Sequence, residues 1–455
     1  MCRSVSLQIK KSAFQNHRAI LERLRPEDFR QASKEEIDRK PYSNAGIRLL
    51  RKNLRAVRTR IQGTDESRLS MRSKVWSTVL LFNPPSLWIT INPADTQDPI
   101  AQVIAGADID LDKFCRMSGP NSQDRAITMA QDPYAAAKFF HSIIRILLET
   151  VFGISKTKYS IHRKEGAYGT VQAYLGTVEA QGRGSLHMHM LVWLKDAPTA
   201  KVMQLALQHD QFRQRVVDFI KSTIHADIDG MDTDGLLTMP KETCVSYSRP
   251  VDPITDRKGG DEHEKTLARA LQFHECNTRT CLRREHGCLR CKRGAPFSCS
   301  SEAWVNEMGE WGPRRICPKF NSWNGTTMRC CRSNHDCKLI MNGCETCVAM
   351  LYNTNYAFKK QNKSSNATAL IADSFAFTRE QEKKDDSRDG FDLNKKLLQR
   401  CANSLFSERE FSAPEIISYL MGWEDRFESH FYVNIYWDAA MASLKTAFPC
   451  LTAKQ

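Results

Sequence analysis

Three groups of side chains in this chain are of a type and spacing that could do chemistry. The first is His187 and His189, one residue apart in Gly184-Ser185-Leu186-His187-Met188-His189-Met190-Leu191-Val192-Trp193-Leu194. Strand side chains alternate between faces, so both imidazoles share a face while Met188, Met190 and Val192 turn toward a core. Two imidazoles on an apolar strand are costly to hide unless they bond each other or hold a metal, and both readings stand. Upstream, residues 174–180 read as a second strand and Gln181-Gly182-Arg183-Gly184 as its turn. A three-residue loop with Gly184 in the left-handed region puts Gln181 opposite Ser185 and Glu179 opposite His187. Opposed residues share a face. Glu179, His187 and His189, with Gln181 as a substitute, then form a ligand set suited to Mg²⁺ or Mn²⁺ and open to other divalent ions. The competing reading pairs Glu179 with Arg183 in solvent.

The second group is Tyr352, Tyr356 and Lys359, in Tyr352-Asn353-Thr354-Asn355-Tyr356-Ala357-Phe358-Lys359-Lys360. On a helix the two phenols share one face, with the lysines a turn further on. That stripe suits phosphodiester transfer: a tyrosine oxygen attacks phosphorus and a lysine offsets the charge that develops. An amphipathic helix with two half-buried tyrosines gives the same pattern.

The third group is a cysteine cluster. Of sixteen cysteines, most fall between Cys276 and Cys347, among them Cys276, Cys281, Cys288, Cys291, Cys337, Cys344 and Cys347, with His274, His286 and His335 nearby. Cys288 with Cys291, and Cys344 with Cys347, have the two-residue spacing of zinc knuckles. Structural Zn²⁺ is the expectation, since disulfides are not expected without a secretory signal. Cys276, Cys281, Cys288 and Cys291 are assigned to one site, and Cys337, Cys344 and Cys347 to a second.

Taken together, several segments resemble the replication-initiator part of Helitron transposases, closest to the fungal type. Pro85-Ser86-Leu87-Trp88-Ile89-Thr90-Ile91-Asn92-Pro93-Ala94-Asp95 resembles the family's first motif. Residues 178–189 resemble the histidine–hydrophobe–histidine motif of the HUH endonucleases. Asn334-His335-Asp336, followed by Tyr352, Tyr356 and Lys359, resembles the third block and paired tyrosines, and residues 417–423 resemble a later segment. The resemblance implies that His187 and His189 bind metal, that Tyr352 and Tyr356 are nucleophiles and that Lys359 assists. It implies nicking of single-stranded DNA at transposon ends, with a 5′-phosphotyrosine intermediate and strand transfer. No Gly-x-x-x-x-Gly-Lys-Ser/Thr loop occurs in the 455 residues, so no ATPase is expected. The chain reads as the nuclease part alone, with any helicase supplied in trans. The alternative is a truncated, inactive, zinc-stabilised DNA-binding remnant.

These groups need elements to position them. The expected fold is α+β: an antiparallel, ferredoxin-like HUH palm with flanking helices and a Cys/His-rich zinc-binding insertion. Residues 1–75 read as basic helices, 76–200 as the nuclease core and 201–272 as a helical connection. Residues 273–347 read as the zinc-binding region, and 348–455 as the tyrosine helix with a helical C-terminal part. A strand is expected at 86–92, and helices at 133–152, 200–224 and within 406–447. The excess of Lys and Arg over Asp and Glu, 66 against 52, leaves a net charge of +14 and favours a polyanionic partner. Arg51, Lys52, Arg55 and Arg58, together with Arg183, are the candidate DNA contacts. Trp88, Trp193 and Phe358 are candidates for base stacking. The opening residues carry no apolar targeting stretch, and no apolar run is long enough for a membrane span. No membrane is therefore expected, and the DNA chemistry that the resemblance implies would place the protein in the nucleus.

Overall fold

The structure is a computed structural model. It describes residues 20–21, 23–181, 184–252, 254–285, 287–341, 366–384, 390–407, 410–433 and 437–448. Tyr352, Tyr356, Phe358, Lys359, Arg183, Cys344 and Cys347 lie outside the described residues.

The described N-terminal part holds helices α1 (Pro26–Ile37), α2 (Ala45–Arg58) and α3 (Asp65–Phe82). Each of the last two starts where a side chain satisfies the orphan amides of its first turn. Asn44 accepts from Gly46 and Ile47, and Thr64 accepts from Ser67. Strand β1 (Leu87–Asn92) follows, then α4 (Pro133–Thr150), capped by Asp132 with Pro133 in its first turn. The long hairpin β2 (Val171–Ala180) and β3 (Leu186–Leu194) comes next. After α5 (Arg257–Leu271) the chain returns through β4 (Asn334–Leu339). Then come α6 (Ala367–Lys384), α7 (Gly390–Ser407), α8 (Ala413–Leu420), the short strand β5 (Arg426–Glu428) and a last described helix, α9 (Trp437–Ala447).

The five strands make one antiparallel sheet in the order β4-β1-β3-β2-β5, with β3 at the centre. Alternation along the strands gives the sheet two different faces. One carries Ile89, Ile91, Met188, Met190, Val192 and Val178, and packs under Phe140, Ile144 and Leu147 of α4. The other is apolar at one end only. There Trp88, Leu175, Leu191 and Trp193 meet Met71 and Val75 of α3. Its other end carries Thr90, Asn92, Thr177, Glu179, His187 and His189 on the same alternation.

Beside the sheet, α1 and α2 pack with α6 and α7 around Phe29, Leu50, Leu54, Phe375 and Leu398. The N-terminal helices thus share a core with helices more than three hundred residues later, a pairing no local pattern announces. The expected helix over 200–224 is split into Ala200–Ala206 and Asp210–Thr223. At the break the Leu207 carbonyl accepts from the Arg213 guanidinium. Within 406–447, β5 interrupts the expected helices and becomes the sheet's fifth strand. Among the described residues no helix is long and apolar enough to cross a membrane.

Candidate metal centres

The hairpin register places Glu179 opposite His187 and Thr177 opposite His189. Gly184 takes φ +88° in the turn, a conformation a side chain would resist. The Gln181 amide donates to the Ser185 carbonyl, and the Gly184 amide to the Gln181 carbonyl. Because the register is set by the turn and by the apolar opposite face, the polar residues are held without any ligand.

The Nε2 atoms of His187 and His189 lie 3.1 Å apart, and a Glu179 carboxylate oxygen lies 3.9 Å from His187 Nε2. One ligand atom from each of the three falls within 4.8 Å of the others, and all three residues are buried. Two nitrogens about 2.1 Å from one octahedral ion and at a right angle would be about 3 Å apart, so the pair fits a shared divalent ion. A Nδ1–Thr90 Oγ1 contact of 2.9 Å holds the His189 ring, which also stacks on Trp88. Such outer bonds set the tautomer and would aim Nε2 at an ion bound here.

Arg68 is the neighbour that sequence reasoning did not single out. It belongs to the basic helices of residues 1–75, yet it is 2% exposed and its Nη2 sits 2.8 Å from Glu179 Oε1. Positions 68, 71 and 75 lie on one face of α3. The helix therefore seals the apolar end with Met71 and Val75 and, one turn earlier, lays a guanidinium on the carboxylate. One Glu179 oxygen is taken and the other turns toward the imidazoles. Gln181, the substitute ligand, donates its amide to Asn92 Oδ1 at 2.6 Å.

A second cluster gathers His274, Cys276, Cys281 and Cys291, with one ligand atom of each within 4.8 Å of the rest, and it can hold a metal. His274 Nε2 is 3.2 Å from Cys291 Sγ and 3.5 Å from Cys276 Sγ. Ligand atoms of a tetrahedral zinc site lie roughly 3.5–3.8 Å apart, so nearly tetrahedral spacing is already present. The backbone amides of Asn277 and Arg293 point at the sulfurs of Cys281 and Cys291. Desolvation and the neighbouring Cys291 and Cys281 sulfurs push the Cys276 thiol up to about 11. A bound cation would reverse that repulsion.

Several expected residues stand elsewhere. Cys288 is exposed, paired with Glu285 near the tip of the hairpin formed by Leu282–Glu285 and Cys288–Cys291, and His274 takes the fourth position instead. Its two-residue spacing to Cys291 spans the length of a strand, which carries its sulfur away from the cluster. Cys337 sits opposite Ile89 in the core under α4, and burial pushes its thiol up. It is an ordinary core thiol. Arg58 is buried and paired with Glu66 at 2.6 Å, and Arg51 is tied to Glu36 at 3.1 Å. Lys52 and Arg55 remain exposed. Trp193 is buried with its indole donating to the Asn83 carbonyl, and Trp88 is buried beside His189, so neither offers a free ring face.

His335 turns into the core, where its Nε2 accepts from the Asn324 amide at 2.9 Å and burial lowers its pKa to about 4. Asp336, its neighbour, shares the polar face beside Thr90. Of the later segment, Ser418 bonds the buried His141 on α4 at 3.0 Å, and Trp423 packs against that imidazole.

The fold and site define an α+β protein carrying a carboxylate and two imidazoles on the central hairpin of an antiparallel sheet. Residues 2–192 match the Helitron helicase-like domain at N-terminus, and this part of the chain is identified as that Helitron domain. The matched stretch holds Arg68, Thr90, Glu179, His187 and His189 and stops before the Cys/His cluster. No curated protein matches the chain.

Proposed function

We propose that this protein is a Helitron-type rolling-circle nuclease that nicks single-stranded DNA and transfers the strand through a 5′-phosphotyrosine. The observation that carries this reading is the convergence of Glu179, His187 and His189 on the central hairpin of the sheet. The antiparallel strand order β4-β1-β3-β2 supports the ferredoxin-like HUH palm that the resemblance implies.

A Mg²⁺ or Mn²⁺ ion in this site would polarise the scissile phosphate oxygens. The chain's own groups then have distinct parts. His187 and His189 bind, Thr90 orients His189, and Arg68 engages one Glu179 oxygen and so orients the carboxylate. By the resemblance, a tyrosine oxygen from Tyr352 or Tyr356 attacks phosphorus and loses its proton. The bond from phosphorus to the 3′ oxygen breaks, that oxygen takes up a proton, and the 5′ phosphate stays on tyrosine. The second tyrosine repeats the exchange on another strand, and Lys359 offsets the phosphate charge. Because one phosphodiester replaces another, no nucleotide cofactor is consumed.

In the same reading Zn²⁺ occupies His274, Cys276, Cys281 and Cys291 and serves the fold rather than the chemistry. The partners are transposon-end single strands and a helicase supplied by another chain, and the compartment is the nucleus. Incubation with Mn²⁺ and a labelled single-stranded oligonucleotide tests the proposal. A protein–DNA adduct that survives boiling in detergent, and is lost in a Tyr352→Phe, Tyr356→Phe double variant, is expected. No adduct across varied terminal sequences would favour the inactive DNA-binding remnant instead.

A further inference from the structure

Residues 274–293 hold an excess of charge that neither metal site uses. Arg279, Arg283, Arg284, Arg290, Lys292 and Arg293 are all exposed, against only Glu275 and Glu285 as acids. Glu275 is already paired with Lys241 at 2.8 Å. Among the described residues no carboxylate lies within ion-pair distance of Arg283, Arg284, Arg290 or Arg293, although Glu285 is on the same hairpin.

The register sharpens the point. In the hairpin of Leu282–Glu285 with Cys288–Cys291, Arg283 stands directly opposite Arg290. Like charges facing each other across two strands destabilise the pair, so the hairpin alone is a poor place for them. A polyanion lying along it would turn that repulsion into attraction. The segment also has almost no core: among described residues 277–293 only Cys281 is buried.

The segment that leads into the hairpin is tied to the end of the sheet that carries the histidines. Gln181 donates to Asn92, and Asn92 donates to Asn334. Asn334 in turn donates to the Leu271 carbonyl and the Gln272 side chain. An amide chain therefore runs from the β2–β3 turn to Gln272, two residues before the first ligand of the Cys/His cluster.

We propose that this metal-tied hairpin is a second nucleic-acid grip, with Arg283 and Arg290 clasping the phosphodiester backbone of a strand that continues beyond the sheet site. It rests on zinc occupying the Cys/His cluster but not on cleavage, and the two can fail separately. Zinc-loaded full-length protein is titrated with a fluorescent single-stranded oligonucleotide, and with the corresponding duplex, across a salt series. Loss of two phosphate contacts in an Arg283→Glu, Arg290→Glu variant should weaken single-strand binding at least about tenfold and reduce the salt slope by about 1.4. Arg283→Gln, Arg290→Gln should do the same more mildly, with one zinc per chain retained, which separates lost charge from lost folding. Unchanged affinity and slope in the zinc-retaining variants would overturn the proposal, as would weaker binding with an unchanged slope. Loss confined to the duplex would overturn the single-strand assignment.

Discussion

The two candidate metal-binding groups differ in what holds them. Glu179, His187 and His189 sit on paired strands whose opposite face is packed under α4, so their spacing follows from register and burial. His274, Cys276, Cys281 and Cys291 come from a turn and a two-stranded hairpin with exposed surroundings. In the first the scaffold precedes the ion. In the second a bound ion would have to supply what a core would otherwise give, as in small domains that fold only with their metal. The lesson is that similar ligand clusters can have opposite dependence on metal, and that the surrounding packing tells them apart.

The largest expected contrast is on metal removal. A structural zinc is worth about 10–16 kcal/mol to a small site that is unfolded without it. Chelation should therefore erase hydrogen-exchange protection over 274–293 while leaving β1, β2 and β3 protected. Equal loss in both regions would remove the distinction.

Next comes the pair under the sheet site. Arg68→Met leaves Glu179 charged in a buried place and should cost about 3–5 kcal/mol in urea unfolding. His187→Ala, His189→Ala should leave the urea midpoint nearly unchanged while abolishing the adduct. If the histidine variant proved the less stable of the two, the site would be structural.

Acid should act on the scaffold through His141 and His335, each lowered by burial from 6.5 to about 4. Both native values lie below the unfolded one, so the unfolded chain takes up protons first as pH falls. Stability from these groups is complete above about 6.5, declines toward about 4 and then levels. Each contributes up to about 3 kcal/mol. Urea midpoints measured across that window should fall, and His335→Gln should flatten the slope.

The smallest effect is on ligand orientation. Thr90→Val removes the contact to His189 Nδ1 and should weaken Mn²⁺ binding about 10–100-fold without changing zinc content. No change would mean that the ring is held by Trp88 and packing alone.

The β2–β3 hairpin and its site were legible because the information is local. A period of two and a Gly184 turn place Glu179 against His187 within nine residues of chain. β1 and α4 were legible for the same reason. The Arg68–Glu179 pair was not, since a basic stretch in sequence does not reveal which side of a helix meets a sheet. β5 escaped because three residues are too few for alternation to register. The zinc set was read as cysteines from their spacing. It was corrected by the return of the chain through His274, whose place depends on Phe273 packing against Phe320 far along the sequence. The paired tyrosines rest on the resemblance and lie outside the described residues.

The account turns on one ion bound by two imidazoles on β3. Pulsed electron paramagnetic resonance of Mn²⁺ added to the zinc-loaded protein reads this directly. It should detect nitrogen couplings from two histidines at a single site, all lost in His187→Ala, His189→Ala. Manganese bound without nitrogen coupling, or bound equally well by that variant, would contradict it.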